Sequence, residues 1–118
     1  MKMKGTDMKA MIATLALVCC SAHAEFRDGN KLLSEIVSDN YQANSLALGY
    51  IMGVADVGYG ATHCAPGSVT SGQMRDMVRN WLTDNPQYRH FMGDVIVAGV
   101  LRNTWPCAKK DKEKGSGV

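Results

Sequence analysis

The sequence predicts an all-α fold, a small single-domain bundle of about four helices, on three observations. Apolar residues recur three or four positions apart in successive segments, as one buried face of a helix requires. β-Branched residues nowhere alternate with polar ones over four or more positions, so no strand is expected. Helix punctuation separates the segments: Ser38-Asp39-Asn40, the capping pattern Thr70-Ser71-Gly72-Gln73, and Asp84-Asn85-Pro86.

The first 24 residues read as a secretory signal. A lysine-bearing start precedes an apolar run over residues 10–20, and Ser21-Ala22-His23-Ala24 offers a small-x-small cleavage site before Glu25. The apolar run is shorter than the roughly 20 residues a bilayer span needs. Two alternatives are a retained anchor and lipidation at Cys19 or Cys20. Removing residues 1–24 takes away three lysines and one aspartate. Ten basic and ten acidic residues remain, with a formal charge of zero. No basic surface then argues for nucleic acid or an anionic membrane. Of four cysteines only Cys64 and Cys107 survive, and in an oxidising compartment an even pair reads as one disulfide.

The first helix is expected over residues 30–38, with Leu32, Leu33, Ile36 and Val37 on one side. A second, over residues 42–62, is rich in small residues. Gly49 and Gly53 share a face and cost helix propensity of about 1 kcal/mol each, so close packing inside the bundle or across a dimer is expected there. The third begins at the capping box and carries Met74, Met77, Val78, Trp81 and Leu82 as an amphipathic stripe. Its other face presents Arg75, Asp76, Arg79 and Asn80. The turn after it adds Asp84, Asn85 and Gln87, and these seven are the candidate partner-binding residues. Asn85 as N-cap and Pro86 in the first turn should open a fourth helix running to about residue 103. Its second half is apolar all round, which predicts the central, most buried element. Residues 108–118 form a charged tail with nothing to bury, expected to be disordered.

Catalytic chemistry is not indicated. His63-Cys64 near Asp56 has the residue types of a cysteine nucleophile, but an oxidised cysteine supplies no thiolate. His63, Cys64, His90 and Cys107 lack the short paired spacing of a zinc site, and no phosphate loop or serine elbow occurs. No cofactor or metal is expected, and the function should be binding.

A longer string of motifs is more specific. Asp28-Gly29-Asn30-x-Leu32-Leu33 is followed by Leu48-Gly49-Tyr50-Ile51-x-Gly53-Val54-x-Asp56, then by Cys64-x-Pro66-x-x-Val69-Thr70-x-Gly72-Gln73. Asn85-Pro86-x-x-Arg89-His90 and Trp105-Pro106-Cys107 complete it. In this order and spacing the chain resembles the Rap/Tai immunity family, the type VI secretion amidase immunity proteins, over residues 26–107. The resemblance implies a helical periplasmic protein, usually a homodimer, without enzymatic activity. Its partner would be a papain-like cysteine amidase that cuts peptidoglycan peptides, blocked at its active-site groove by a protruding loop and a helix face. The Cys64–Cys107 pairing matches the family's recurrent disulfide. A second cysteine pair that many relatives carry is replaced here by Ile36 and Ala47. Two other readings compete. One is a small acid-stress periplasmic chaperone, suggested by eight methionines and weak charge, and the other is a scaffold without an effector partner.

Overall fold

The structure is a computed structural model that describes residues 26–108. The signal assigned to residues 1–24 and nearly all of the charged tail lie outside the described residues. Four α-helices follow in order: α1 (Gly29–Ile36), α2 (Tyr41–Gly58), α3 (Ser71–Asp84) and α4 (Gly93–Thr104), with a 3-10 turn at Pro86–Tyr88 before α4. No strand occurs among the described residues; two isolated bridges join Asp28 to Met92 and Tyr59 to His63.

Each helix turns one stripe inward. Leu32 and Ile36 from α1, Ala47, Ile51 and Ala55 from α2, and Met74, Val78 and Leu82 from α3 meet Ile96, Val97, Val100 and Leu101 of α4 in one core. Ile36 and Ala47 are both buried in that core, so apolar packing occupies the two positions. Helix α3 starts as its sequence dictates. The Thr70 hydroxyl accepts from the Gln73 amide at 3.2 Å, and Gln73 Oε1 accepts from the Thr70 amide at 2.8 Å. The Asn40 side chain caps α2 by accepting from Gln42 and Ala43.

The start of α1 holds the far end of the chain. Asp28 caps it by accepting from the Lys31 amide at 2.8 Å. The Gly29 and Asn30 amides, which a helix start leaves without internal partners, donate to the carbonyls of Phe91 and Arg89 at 3.0 Å. The approach is close enough to demand glycine. A Cβ at Gly29 would stand 2.7 Å from Ile96 Cδ1 and 2.8 Å from the Arg89 carbonyl oxygen. The neighbouring Gly93 amide returns a bond to the Arg27 carbonyl at 2.8 Å. Arg27 also pairs with the buried Glu35 at 2.9 Å and lies over the Tyr50 ring, 5.7 Å from its centroid.

Several expectations are corrected. Helix α1 ends at Ile36, two residues early, and Val37 is 59% exposed rather than inward. Helix α2 ends at Gly58, four residues early, because the Gly58 carbonyl accepts the amides of Ala61, Thr62 and His63 and Gly60 takes φ of +82°. Gly49 and Gly53 are not packed within the protomer: a Cβ at either would meet nothing within 4 Å. Helix α4 begins at Gly93 rather than at Asn85-Pro86, and it is not buried all round, since Val95 is 60% exposed. Asn85 fails as an N-cap because its amide turns back to the Trp81 carbonyl at 2.8 Å.

At the opposite end, the Cys64–Cys107 disulfide closes 43 residues, with Cα atoms 4.8 Å apart. The Cys64 amide adds a bond to the Trp105 carbonyl at 2.8 Å. Loop-closure entropy for that span amounts to about 4 kcal/mol, so Cys64→Ser should lower the unfolding free energy by about 2–4 kcal/mol in urea titration. A loss under about 1 kcal/mol would contradict this role for the bridge. Gly29→Ala should cost about 1–3 kcal/mol through overpacking, and an unchanged urea midpoint would count against the close approach.

Candidate functional site

Because α3 turns Met74, Val78 and Leu82 inward, with Met77 and Trp81 packed against the same core, its polar positions form the outer wall of the domain. The 3.6-residue period spreads the predicted residues round that wall. Arg75 and Arg79 lie on the flank beside Leu82, Asn80 and Asp84 on the flank beside Trp81, and Asp76 between them. Arg75 donates to Asp76 Oδ1 from Nε at 3.2 Å and from Nη2 at 3.1 Å, while Arg79 Nη1 stands 3.7 Å from the same oxygen. Two guanidinium groups thus share one carboxylate, leaving one net positive charge. Asn80, Asp84 and Gln87 are exposed, and Asn85 is half-buried. The structure brings Arg75, Asp76 and Arg79 together, and sets Asp84, Asn85 and Gln87 at the end of the same helix.

The turn beyond α3 is held by side chains in place of a glycine cap. Asn85 donates to the Trp81 carbonyl, Arg89 Nε to Leu82 at 2.7 Å, and Arg89 Nη2 to Thr83 at 3.2 Å. These are the terminal carbonyls a helix otherwise leaves to water. A cation there also opposes the negative end of the helix dipole. Since the Arg89 carbonyl accepts from Asn30, one residue ties α3, the turn and α1 together.

Sequence reasoning missed an aromatic ladder on this turn. Trp81 stacks with Tyr88 at 6.1 Å between centroids, and Tyr88 with Phe91 at 5.7 Å. With Val95, Gly99 and Asn103 they line a groove of about 240 Å³ between α3 and α4. No periodic signal marks it, because its rings span a helix end, a 3-10 turn and a loop. A larger groove of about 490 Å³ runs between α2 and α4, floored by Gly49 and Gly53 and bounded by Tyr50, Val57, Asp94 and Ala98. Burial raises the Tyr50 phenol above its ordinary range, the Asp94 carboxylate adds to this, and an Asp94 backbone hydrogen bond and Arg27 oppose it.

The residues with catalytic or ligating chemistry are otherwise occupied. Buried His63 accepts the Ala65 amide at Nδ1 (3.2 Å), so Nε2 carries the proton donated to the Ala55 carbonyl at 2.8 Å. It pins the loop of residues 59–70 onto α2. Cys64 and Cys107 are joined to each other. His90 is exposed and tilts against Phe91, with ring centroids 4.5 Å apart.

A family model described as Rap1a immunity proteins matches residues 28–107, from the N-cap of α1 to the second disulfide cysteine. No curated protein matches the chain.

Arg89→Met keeps an apolar stem and removes both bonds to the end of α3. It should lower stability by about 1–3 kcal/mol and speed amide exchange over residues 85–92. Unchanged exchange in that segment would show that the turn is held by something else.

Proposed function

The chain belongs to the Rap1a immunity protein family, and from that membership we propose that it protects its cell from a type VI secretion effector. The effector is a papain-like cysteine amidase that cleaves peptidoglycan peptides. The protein acts in the periplasm, as a homodimer, by covering the amidase active-site groove. The observation that carries this reading is the extent of the family match, which takes in all four helices and both disulfide cysteines. A disulfide suits the oxidising periplasm, and the signal expected at residues 1–24 would deliver the chain there.

Binding is assigned to the outer face of α3 and the turn after it: Arg75, Asp76, Arg79, Asn80, Asp84, Asn85 and Gln87. Two physical features support the choice. Arg75 and Arg79 put guanidinium groups, common at binding hot spots, on the exposed side of α3. The turn is braced through Asn85 and Arg89, so little conformational entropy is lost on docking. Asn85 acts mainly by positioning, because its amide caps α3; Asn80, Asp84 and Gln87 offer free polar groups to a groove.

Periplasmic co-expression with its cognate type VI amidase should rescue cells from lysis, and failure of rescue together with absence of binding would sink the proposal. Arg79→Glu reverses one charge on the exposed face while leaving the core alone. It should weaken amidase binding by about tenfold or more, or about 1.4 kcal/mol, with an unaltered urea midpoint. Undiminished affinity in that variant would remove α3 as the contact face.

A further inference from the structure

We propose that the outward ridge of α4 docks on the same ridge of a second copy of this chain, antiparallel about a two-fold axis at Ala98, with each Asp94 facing Arg102 of the second copy. This rests on the homodimer in the reading above, not on its amidase target, and it assigns the face and register. A helix that is apolar all round over residues 95–101, as α4 is, is ordinarily covered there on every side, yet the core covers only one side of α4. Val95 (60% exposed) and Phe91 (45%) line the groove on the α3 side of the ridge, and Val57 (88%) lines the groove on its α2 side with Asp94 and Ala98. Exposed apolar groups gathered along one helix, unlike singly scattered ones, mark an interaction face.

The ridge itself says what covers it. Asp94, Ala98 and Arg102 stand four residues apart and so share one line along the helix. Neither Asp94 nor Arg102 makes an ion pair among the described residues, although Arg27, Arg75 and Arg79 all do. A two-fold axis at the central alanine brings acid to base twice. A parallel pairing would set acid against acid and base against base. The antiparallel order also places opposite ends of the two helix dipoles side by side. A pattern complementary to its own reversed copy is what an isologous contact requires, and an unrelated partner would impose no such symmetry.

Close approach is open as well. Ala98 brings only a methyl group to the crossing, and a Cβ on Gly99 would meet nothing within 4 Å. The i±4 ridges of two helices then interdigitate at short range. Val95 and the groove floored by Gly49 and Gly53 supply apolar area beside the ridge. Exposed ion pairs are individually weak, so the charges select orientation while the apolar contacts supply most of the affinity. The outer face of α3 stays outside the contact.

Sedimentation equilibrium over a concentration series tests this on the full mature chain, with circular dichroism and melting to confirm folding. The wild type should dimerise. Asp94→Arg alone and Arg102→Asp alone should each weaken the dimer by about tenfold or more, and Asp94→Arg combined with Arg102→Asp should restore it. A monomeric wild type overturns both the ridge and the homodimer. Single variants that dimerise normally, or a double variant that stays dissociated, overturn the ridge while leaving the homodimer to another face. Amidase binding by the same variants reports on the immunity reading separately.

Discussion

The structure depends on the clasp between the start of α1 and the strap of residues 89–93. A helix start exposes amides with no internal partner, and here two of them reach the carbonyls of Arg89 and Phe91 while Asp28 satisfies a third. The contact is backbone to backbone, so it tolerates no side chain at Gly29. It fixes where the strap leaves α3 and where α4 begins. Arg89 then works in two directions, since its carbonyl serves α1 and its guanidinium serves the last carbonyls of α3.

The other end of the α3–α4 pair is tied by different means. The disulfide and the Cys64–Trp105 backbone bond join the loop before α3 to the end of α4, and His63 pins that loop to α2. Helices α3 and α4 are therefore held at both ends, one by hydrogen bonds and one covalently. A small domain has little core to spend on rigidity, and these ties supply it where an interaction surface needs it. Both proposed contact faces, on α3 and on α4, are thereby held in shape, which is the condition for tight binding by a modest contact area.

Local signals in the sequence were legible where local chemistry decides. The Thr70–Gln73 capping box, the α3 stripe and the inward Leu32 and Ile36 of α1 follow from period and capping alone, whereas Val37, grouped with them by period, lies exposed beyond the helix end. Tertiary contacts decided the rest. Asn85-Pro86 carries the local pattern of a helix start, but the Asn85 amide found an open carbonyl one turn back, and α4 had to wait for Gly93 beside the clasp. Gly49 and Gly53 promised close packing inside the bundle or across a dimer, and within the protomer nothing packs against them. The apolar run in α4 reads as a helix buried all round, but periodicity does not say how many of its sides the protomer covers, and Val95 stays exposed. The motif Asp28-Gly29-Asn30 was visible as a resemblance, while its reason, a non-local bond to Arg89 and Phe91, was not. The proposed contact residues were readable as an exposed polar face, whereas the Trp81–Tyr88–Phe91 ladder beside them was hidden by the break in helix.

The central claim is that this rigid domain inhibits a peptidoglycan amidase directly. Titrating purified mature protein into the cognate amidase, with cleavage of peptidoglycan peptides as the readout, tests it most directly. The account predicts activity falling in proportion to added protein and vanishing at one site per amidase. Full cleavage at saturating protein would contradict it.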